Sequence, residues 1–133
     1  MSRTQETTSG LLHERISGAV IGSAVRVHRE LGPGLLESVY EACLAHELAK
    51  AGLRVERQIP VPIVYDGTQL DAGFRIDLFV ERAVVVELKA VEQLQRIHEA
   101  QLMTYLRLSR IRVGLLINFN VLRLTDGVVR RVL

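Results

Sequence analysis

The sequence predicts an α+β fold of α/β-type layers, in which helices pack on a mixed β-sheet in the order ααβββαβ plus a C-terminal β-ribbon. Two periodicities and one uninterrupted apolar run predict it. Apolar residues recur at helical spacing in two early segments and one late one, they alternate between these, and VGLLINF near the C-terminus has the unbroken character of a strand covered on both faces. Residues 1–10 are polar and are expected to be frayed or disordered, followed by a single domain over 11–133. The first helix is carried by Leu12, Ile16, Ala19, Val20, Ala24, Val27 and Leu31 and stops at Gly32-Pro33-Gly34, a stretch too short to cradle a phosphate and suited to setting an interhelical angle. A second helix from Leu36 to Ala51 presents Leu36, Val39, Tyr40, Cys43, Leu44 and Leu48 as its apolar face, and Gly52 ends it. Val61, Ile63 and Tyr65 alternate toward a turn at Asp66-Gly67 and open a meander whose other two strands lie within residues 73–90. Helical period returns over 92–109 through Leu94, Ile97, Gln101, Leu102, Tyr105 and Leu108; VGLLINF follows, and a hairpin around Asp126-Gly127 closes the chain.

Composition narrows the function classes. A chain of 133 residues with 48% hydrophobic content has the length of one domain and can bury a real core. Its formal charge of +2 conceals a bias, because all the cations are Arg except Lys50 and Lys89. Arg suits bidentate contact with phosphate or carboxylate, which fits nucleic acid and surface ion pairs alike. Cys43 is alone, so an internal disulfide is excluded and a reducing compartment is expected; on an apolar helix face it reads as core rather than nucleophile. No apolar run approaches the roughly 18 residues of a membrane span, and MSRTQETTSG lacks the apolar stretch of a signal peptide, so a soluble, cytoplasmic protein without a membrane partner is expected.

The chemistry concentrates in GFRIDLFVERAVVVELKA, residues 73–90. Side chains alternate along a strand, so Val85, Glu87 and Lys89 share one face, as do Arg75, Asp77 and Phe79 on the strand before. If Glu81, Arg82 and Ala83 form the connection, Val80 faces Val84 and Asp77 lies opposite Glu87. Opposed side chains have Cβ atoms about 4.5–5.5 Å apart, where two carboxylates repel. Flanked by apolar neighbours, the pair suits a divalent cation that takes oxygen ligands from both.

Asp77, then Glu87-Leu88-Lys89, then Gln101-Leu102-Met103-Thr104-Tyr105, resembles the PD-(D/E)XK nuclease superfamily, whose restriction-endonuclease-like core is a helix, a three-stranded meander, a helix and a further strand. An acid on a helix upstream and a downstream Gln-x-x-x-Tyr are similar to its RecB-like branch. Gly34-Leu35-Leu36-Glu37-Ser38-Val39-Tyr40 is similar to the heptad of the bacterial GxxExxY proteins. The resemblance runs from the first helix through VGLLINF, with Ile76 where the superfamily's name places Pro.

It implies a metal-dependent phosphodiesterase acting on nucleic acid, DNA in preference to RNA, with Mg²⁺ or Mn²⁺ as cofactor. The implied metal ligands are Asp77, Glu87, the carbonyl of Leu88 and, directly or through water, Glu37. Lys89 would serve as general base or electrophile, and Gln101 and Tyr105, four apart on one helical face, would position Lys89, water or phosphate. A homodimer would extend the small substrate surface. The alternative from a different class is a nuclease-fold module, weak or inactive in catalysis, that binds protein or nucleic acid. Each residue also has a plainer reading: Glu37 as an acid favoured by its helix dipole, Tyr105 as core with its hydroxyl at the edge, Gln101 as a cap, and Glu87 with Lys89 as a solvated strand face. His28 and His98, considered as further ligands, read as packing residues on their helices. The arginines at 107, 110, 112, 123, 130 and 131 read as a basic surface or as phosphate contacts.

Overall fold

The computed structural model describes the backbone of residues 3–133 and side chains from residue 10 onward. Helix α1 (Arg3–Leu31) and helix α2 (Glu37–Lys50) lead into strand β1 (Val55–Pro60), followed by β2 (Ile63–Tyr65), β3 (Thr68–Leu70), β4 (Arg75–Val80) and β5 (Val84–Lys89). Helix α3 (Arg96–Ser109) crosses to β6 (Val113–Asn118), and a 3₁₀ turn (Leu124–Gly127) leads to β7 (Val128–Val132). Helix α1 starts well before Leu12; Met1 and Ser2, and the side chains up to Ser9, lie outside the described residues, and the expectation of a frayed N-terminus falls largely on them.

The five-stranded sheet has the order β1-β4-β5-β6-β7. Only β5 and β6 run parallel, because only they are joined by a helical crossover; the other neighbours are antiparallel. One face of the sheet, through Leu78, Val80, Val84, Val86 and Leu88, packs on Ile16, Val20 and Ala24 of α1 and on Leu44 and Leu48 of α2. The other, through Phe79, Val85 and Leu116, packs on Leu102 and Leu106 of α3. The sheet is therefore enclosed between helices, which is why every residue of β6 is buried. Helix α3 seats closely because Gly114 has no side chain: a Cβ there would lie 2.8 Å from Leu102 Cδ1.

Four details depart from the sequence expectation. The meander is β1-β4-β5, so its first strand is Val55–Pro60, while Ile63–Tyr65 pairs with Thr68–Leu70 in a separate two-stranded hairpin. Pro60 and Pro62 lack the N–H groups that would continue the ladder, and Asp66 and Gly67 take the positive φ values of 54° and 69° that the tight turn between β2 and β3 requires. The apolar face of α2 is rotated from the expected one: Leu36 is 74% and Val39 38% exposed, Cys43 is half-buried, and Glu41 is buried beside Tyr40, Leu44 and Leu48. Helix α3 begins at Arg96 rather than residue 92, where the Gln95 N–H donates to His98 Nδ1 at 2.9 Å. The terminal ribbon is not a separate element; β7 completes the main sheet against β6.

The turn into β7 is tight. A Cβ on Gly127 would lie 2.3 Å from the Asn118 carbonyl oxygen, a backbone atom that cannot swing aside. Gly127→Ala is expected to destabilise the fold by about 1–3 kcal/mol, the usual cost of overpacking, measured as a fall in the urea midpoint at unchanged m value.

Candidate active site

Strands β4 and β5 pair through Val80↔Val84, Phe79↔Val85 and Leu78↔Val86, the register set by the turn Val80–Ala83, in which Glu81 and Arg82 have φ of 53° and 48°. One residue further this register sets Asp77 opposite Glu87, and there the ladder changes character. The Asp77 N–H donates to the Glu87 carboxylate at 3.2 Å, and the Leu88 N–H donates to Asp77 Oδ2 at 2.8 Å. Side-chain carboxylates thus accept the N–H groups that backbone carbonyls would otherwise take. They sit side by side between the strands.

The two acids carry the electrostatic signature of that placement. Burial, and then the charge of Asp77, push the Glu87 carboxyl well above its ordinary value, against the opposing pull of the Asp77 N–H and of Lys89. Burial also raises Asp77, although the Leu88 N–H opposes it, and the Glu41 charge adds to the rise. Glu37, in the first turn of α2, is exposed as a residue, and the partial burial of its carboxyl and then the charge of Asp77 raise it, with Lys89 acting in the opposite direction. Tyr105 is raised by burial and then by Glu87 and Asp77, which keeps its phenol protonated at neutral pH and able to donate. Its ring meets Phe74 edge-on, with centroids 5.8 Å apart. Glu37, Asp77, Glu87, Lys89 and Tyr105 are thereby brought within electrostatic reach of one another, from α2, β4, β5 and α3.

Gln101 is not tied to this group. It is exposed, lines a pocket with Phe74, Ile97 and Thr104, and makes no side-chain hydrogen bond among the described residues. His28 and His98 are held elsewhere: His28 Nε2 donates to the Val121 carbonyl at 2.7 Å, and His98 serves the start of α3.

Three residues that sequence reasoning passed over complete the surroundings. Glu41 is buried and accepts from Arg57 Nε and Nη2 at 3.2 and 3.0 Å, while the Gln58 amide reaches both Glu41 Oε1 and, at 3.3 Å, Asp77 Oδ1. Gln58 stands at the register position opposite Asp77 with φ of 53°, a left-handed conformation that costs a non-glycine residue about 1–3 kcal/mol. The signal available in sequence was the i, i+4 spacing of Glu37 and Glu41, which puts Glu41 on the face of Leu44 and Leu48.

The heptad Gly34 to Tyr40 also has a structural logic. Tyr40, fully buried, donates its hydroxyl to the Gly32 carbonyl at 2.6 Å and accepts the Leu35 N–H at 3.1 Å, while its ring stacks on Phe119 at 4.4 Å. Gly34 takes φ of 96° within the loop so closed, and Glu37 follows at the start of α2. The tyrosine fixes where Glu37 enters.

A family model described as the PD-(D/E)XK nuclease superfamily matches residues 14–132. The chain belongs to the PD-(D/E)XK nuclease superfamily. No curated protein and no solved structure matches it. Nucleases of this superfamily generally use divalent metals and act on nucleic acid. The donors present fit such an ion. Carboxylates and a peptide carbonyl are hard oxygen ligands, and a dication would offset both the burial that chiefly raises Glu37, Asp77 and Glu87 and the neighbouring negative charge that adds to it. Among the described residues no three His, Cys, Asp or Glu side chains close a cage; Mg²⁺, which retains several waters and takes one or two carboxylates, needs none. Among the described residues no helix is long and apolar enough to cross a membrane.

Two outcomes follow from this geometry. Glu87 binds its proton more tightly folded than unfolded, so folding takes up a proton in the interval that opens at the ordinary value of 4.5 and closes at the higher folded one, and stability falls as pH rises through it. In chelator, the melting temperature of wild type is expected to drop relative to Glu87→Gln as pH rises above the ordinary carboxylate value of 4.5; parallel curves for the two proteins would contradict the raised proton affinity. Tyr40→Phe keeps the stack but strands the Gly32 carbonyl and the Leu35 N–H, and is expected to cost about 1 kcal/mol or more in urea denaturation.

Proposed function

We propose that the protein is a Mg²⁺- or Mn²⁺-dependent nuclease that hydrolyses phosphodiester bonds of nucleic acid, DNA in preference to RNA, in the cytoplasm, and that within its superfamily it is a GxxExxY protein of the RecB-like branch. The observation that supports this most is the pair of carboxylates, Asp77 and Glu87, side by side between parted strands with Lys89 and Glu37 in electrostatic reach. Asp77, Glu87 and the Leu88 carbonyl would hold the ion, with Glu37 joining directly or through water. When bound, the ion supplies an activated water and neutralises charge on the phosphate.

The remaining work falls to the chain. Lys89 orients the attacking water, and its ammonium offsets the negative charge that grows on the phosphoryl oxygens toward the transition state. Tyr105, protonated and facing the carboxylates, donates to a phosphate oxygen and holds it in line for attack. Gln101, one turn earlier on α3 and exposed, is free to contact the strand as it enters. Glu41, Arg57 and Gln58 keep Asp77 oriented without touching the substrate.

One observation favours a second reading, a nuclease-fold module that binds nucleic acid or protein without cutting: Asp77 and Glu87 both accept hydrogen bonds from backbone N–H groups and are in part satisfied without an ion. Metal linkage separates the two. At one hundred times its Kd, Mg²⁺ or Mn²⁺ stabilises a single-site protein by about 2.7 kcal/mol, so the melting temperature of wild type is expected to rise with metal and that of Asp77→Ala to stay flat. Labelled oligonucleotide is expected to be cut by wild type and at least ~10²-fold more slowly by Lys89→Ala. Absence of any metal-dependent shift would refute the metal site and favour the second reading; a shift without cleavage would leave the metal site standing and remove the hydrolytic step.

A further inference from the structure

We infer that a cleft beside the catalytic rim, between the last turn of α1 and the loop after β6, is a second phosphate site that grips the nucleic-acid strand away from the bond to be cut. The inference rests on the nuclease reading above and names how its substrate is held.

The cleft has a volume of about 430 Å³ and is lined by His28, Arg29, Gly32, Pro33, Arg123 and Thr125 together with apolar residues; no acidic residue lines it. A second large cleft, between α1 and α2, differs: Glu30 and Glu47 line it beside Arg26 and His46, and Arg26 lies 3.4 Å from Glu47. Neither Arg29 nor Arg123 has a side-chain hydrogen bond or ion pair among the described residues. Two uncompensated guanidiniums in one concavity repel, and an anion between them removes that cost.

The segments that carry them are fixed relative to each other. The buried His28 ring donates to the Val121 carbonyl at 2.7 Å, joining α1 to the loop that presents Arg123. The wall behind His28 reaches the backbone at the end of β5: the His28 ring lies 6.4 Å from that of Phe119, the Phe119 N–H donates to the Lys89 carbonyl at 2.9 Å, and Tyr40 stacks on Phe119 while holding Gly32. A strand whose phosphate occupies the cleft would cross toward the ends of β5 and α2 that carry Lys89 and Glu37. Arg110 and Arg112, which precede β6 and so lie at the opposite rim of the sheet, provide the contrast.

The test measures binding of fluorescent single-stranded and duplex oligonucleotides by Glu87→Gln in chelator across a KCl series, in the parent and with Arg29→Ala/Arg123→Ala added. The double variant is expected to bind about tenfold more weakly at low salt and to lose about 0.7–0.9 from the slope of log K against log salt, the increment of one phosphate. Arg29→Lys/Arg123→Lys is expected to retain the slope, and Arg110→Ala/Arg112→Ala to change neither quantity. Both pairs are exposed, so melting temperatures should stay near the parent's. Unchanged affinity and slope in the Arg29/Arg123 variant, while wild type still cuts nucleic acid in Mg²⁺, would overturn the cleft and leave the nuclease reading standing; no binding and no cutting would remove both. Inorganic phosphate serves as the competing anion: binding of phosphate that the double variant loses, with oligonucleotide affinity untouched, would make the cleft a site for the free ion and overturn the strand assignment.

Discussion

Past Leu78↔Val86, strands β4 and β5 exchange hydrogen bonds through carboxylates instead of carbonyls. A sheet has a strict requirement that its interior N–H groups find acceptors, and here Asp77 and Glu87 meet it. In doing so Glu87 becomes buried and Asp77 half-buried, and the charge of Asp77 adds to the burial that raises Glu87, while the same bonds keep the strands together. Each acid thereby closes a hydrogen bond across the pair beyond the last paired residues. Their neighbourhood follows from this: Leu88 turns its N–H to the site, Gln58 adopts a strained backbone opposite Asp77, and Glu41 brings Arg57 to balance the charge beneath.

The rest of the chain serves to hold this gap still. Groups that act on a reacting phosphate need positions fixed to a fraction of an ångström, and rigid elements supply them better than loops. Tyr40 closes the turn ahead of Glu37. Asn118, buried at the end of β6, accepts the Val91 N–H at 3.0 Å and donates to the Val91 carbonyl at 2.9 Å, clamping the segment that follows Lys89. Gly114 lets α3 settle close enough for Tyr105 to feel both acids.

Much of this was legible. The alternation on either side of Glu81-Arg82-Ala83 set Asp77 against Glu87 on the condition of a three-residue connection, and the observed Val80↔Val84 pairing meets that condition. VGLLINF declared its double burial through composition alone. What misled was the assumption that apolar residues mark the inner face: Leu36 and Val39 lie outward, and the buried place went to Glu41, whose charge is tolerable only because Arg57 and Gln58 arrive from a strand that the sequence barely announces. VERQIP lacks clean alternation, so β1 was missed in favour of the better-patterned Val61–Tyr65. The left-handed backbone at Gln58, Glu81 and Arg82 occurs without Gly or Asn, and tertiary context rather than local preference fixes it.

The connection between β4 and β5 is only three residues long, whereas Glu37 comes from forty positions before Asp77 and Tyr105 from beyond the crossover. Contacts near in sequence close sooner than distant ones, since less chain entropy is surrendered in closing them. Closing the Asp77–Glu87 hairpin costs less chain entropy than docking α2 or α3, whereas the burial that raises Glu87 is complete only with the helices packed. The local connection thus sets the two acids against each other, and the distant elements supply the enclosure that alters them.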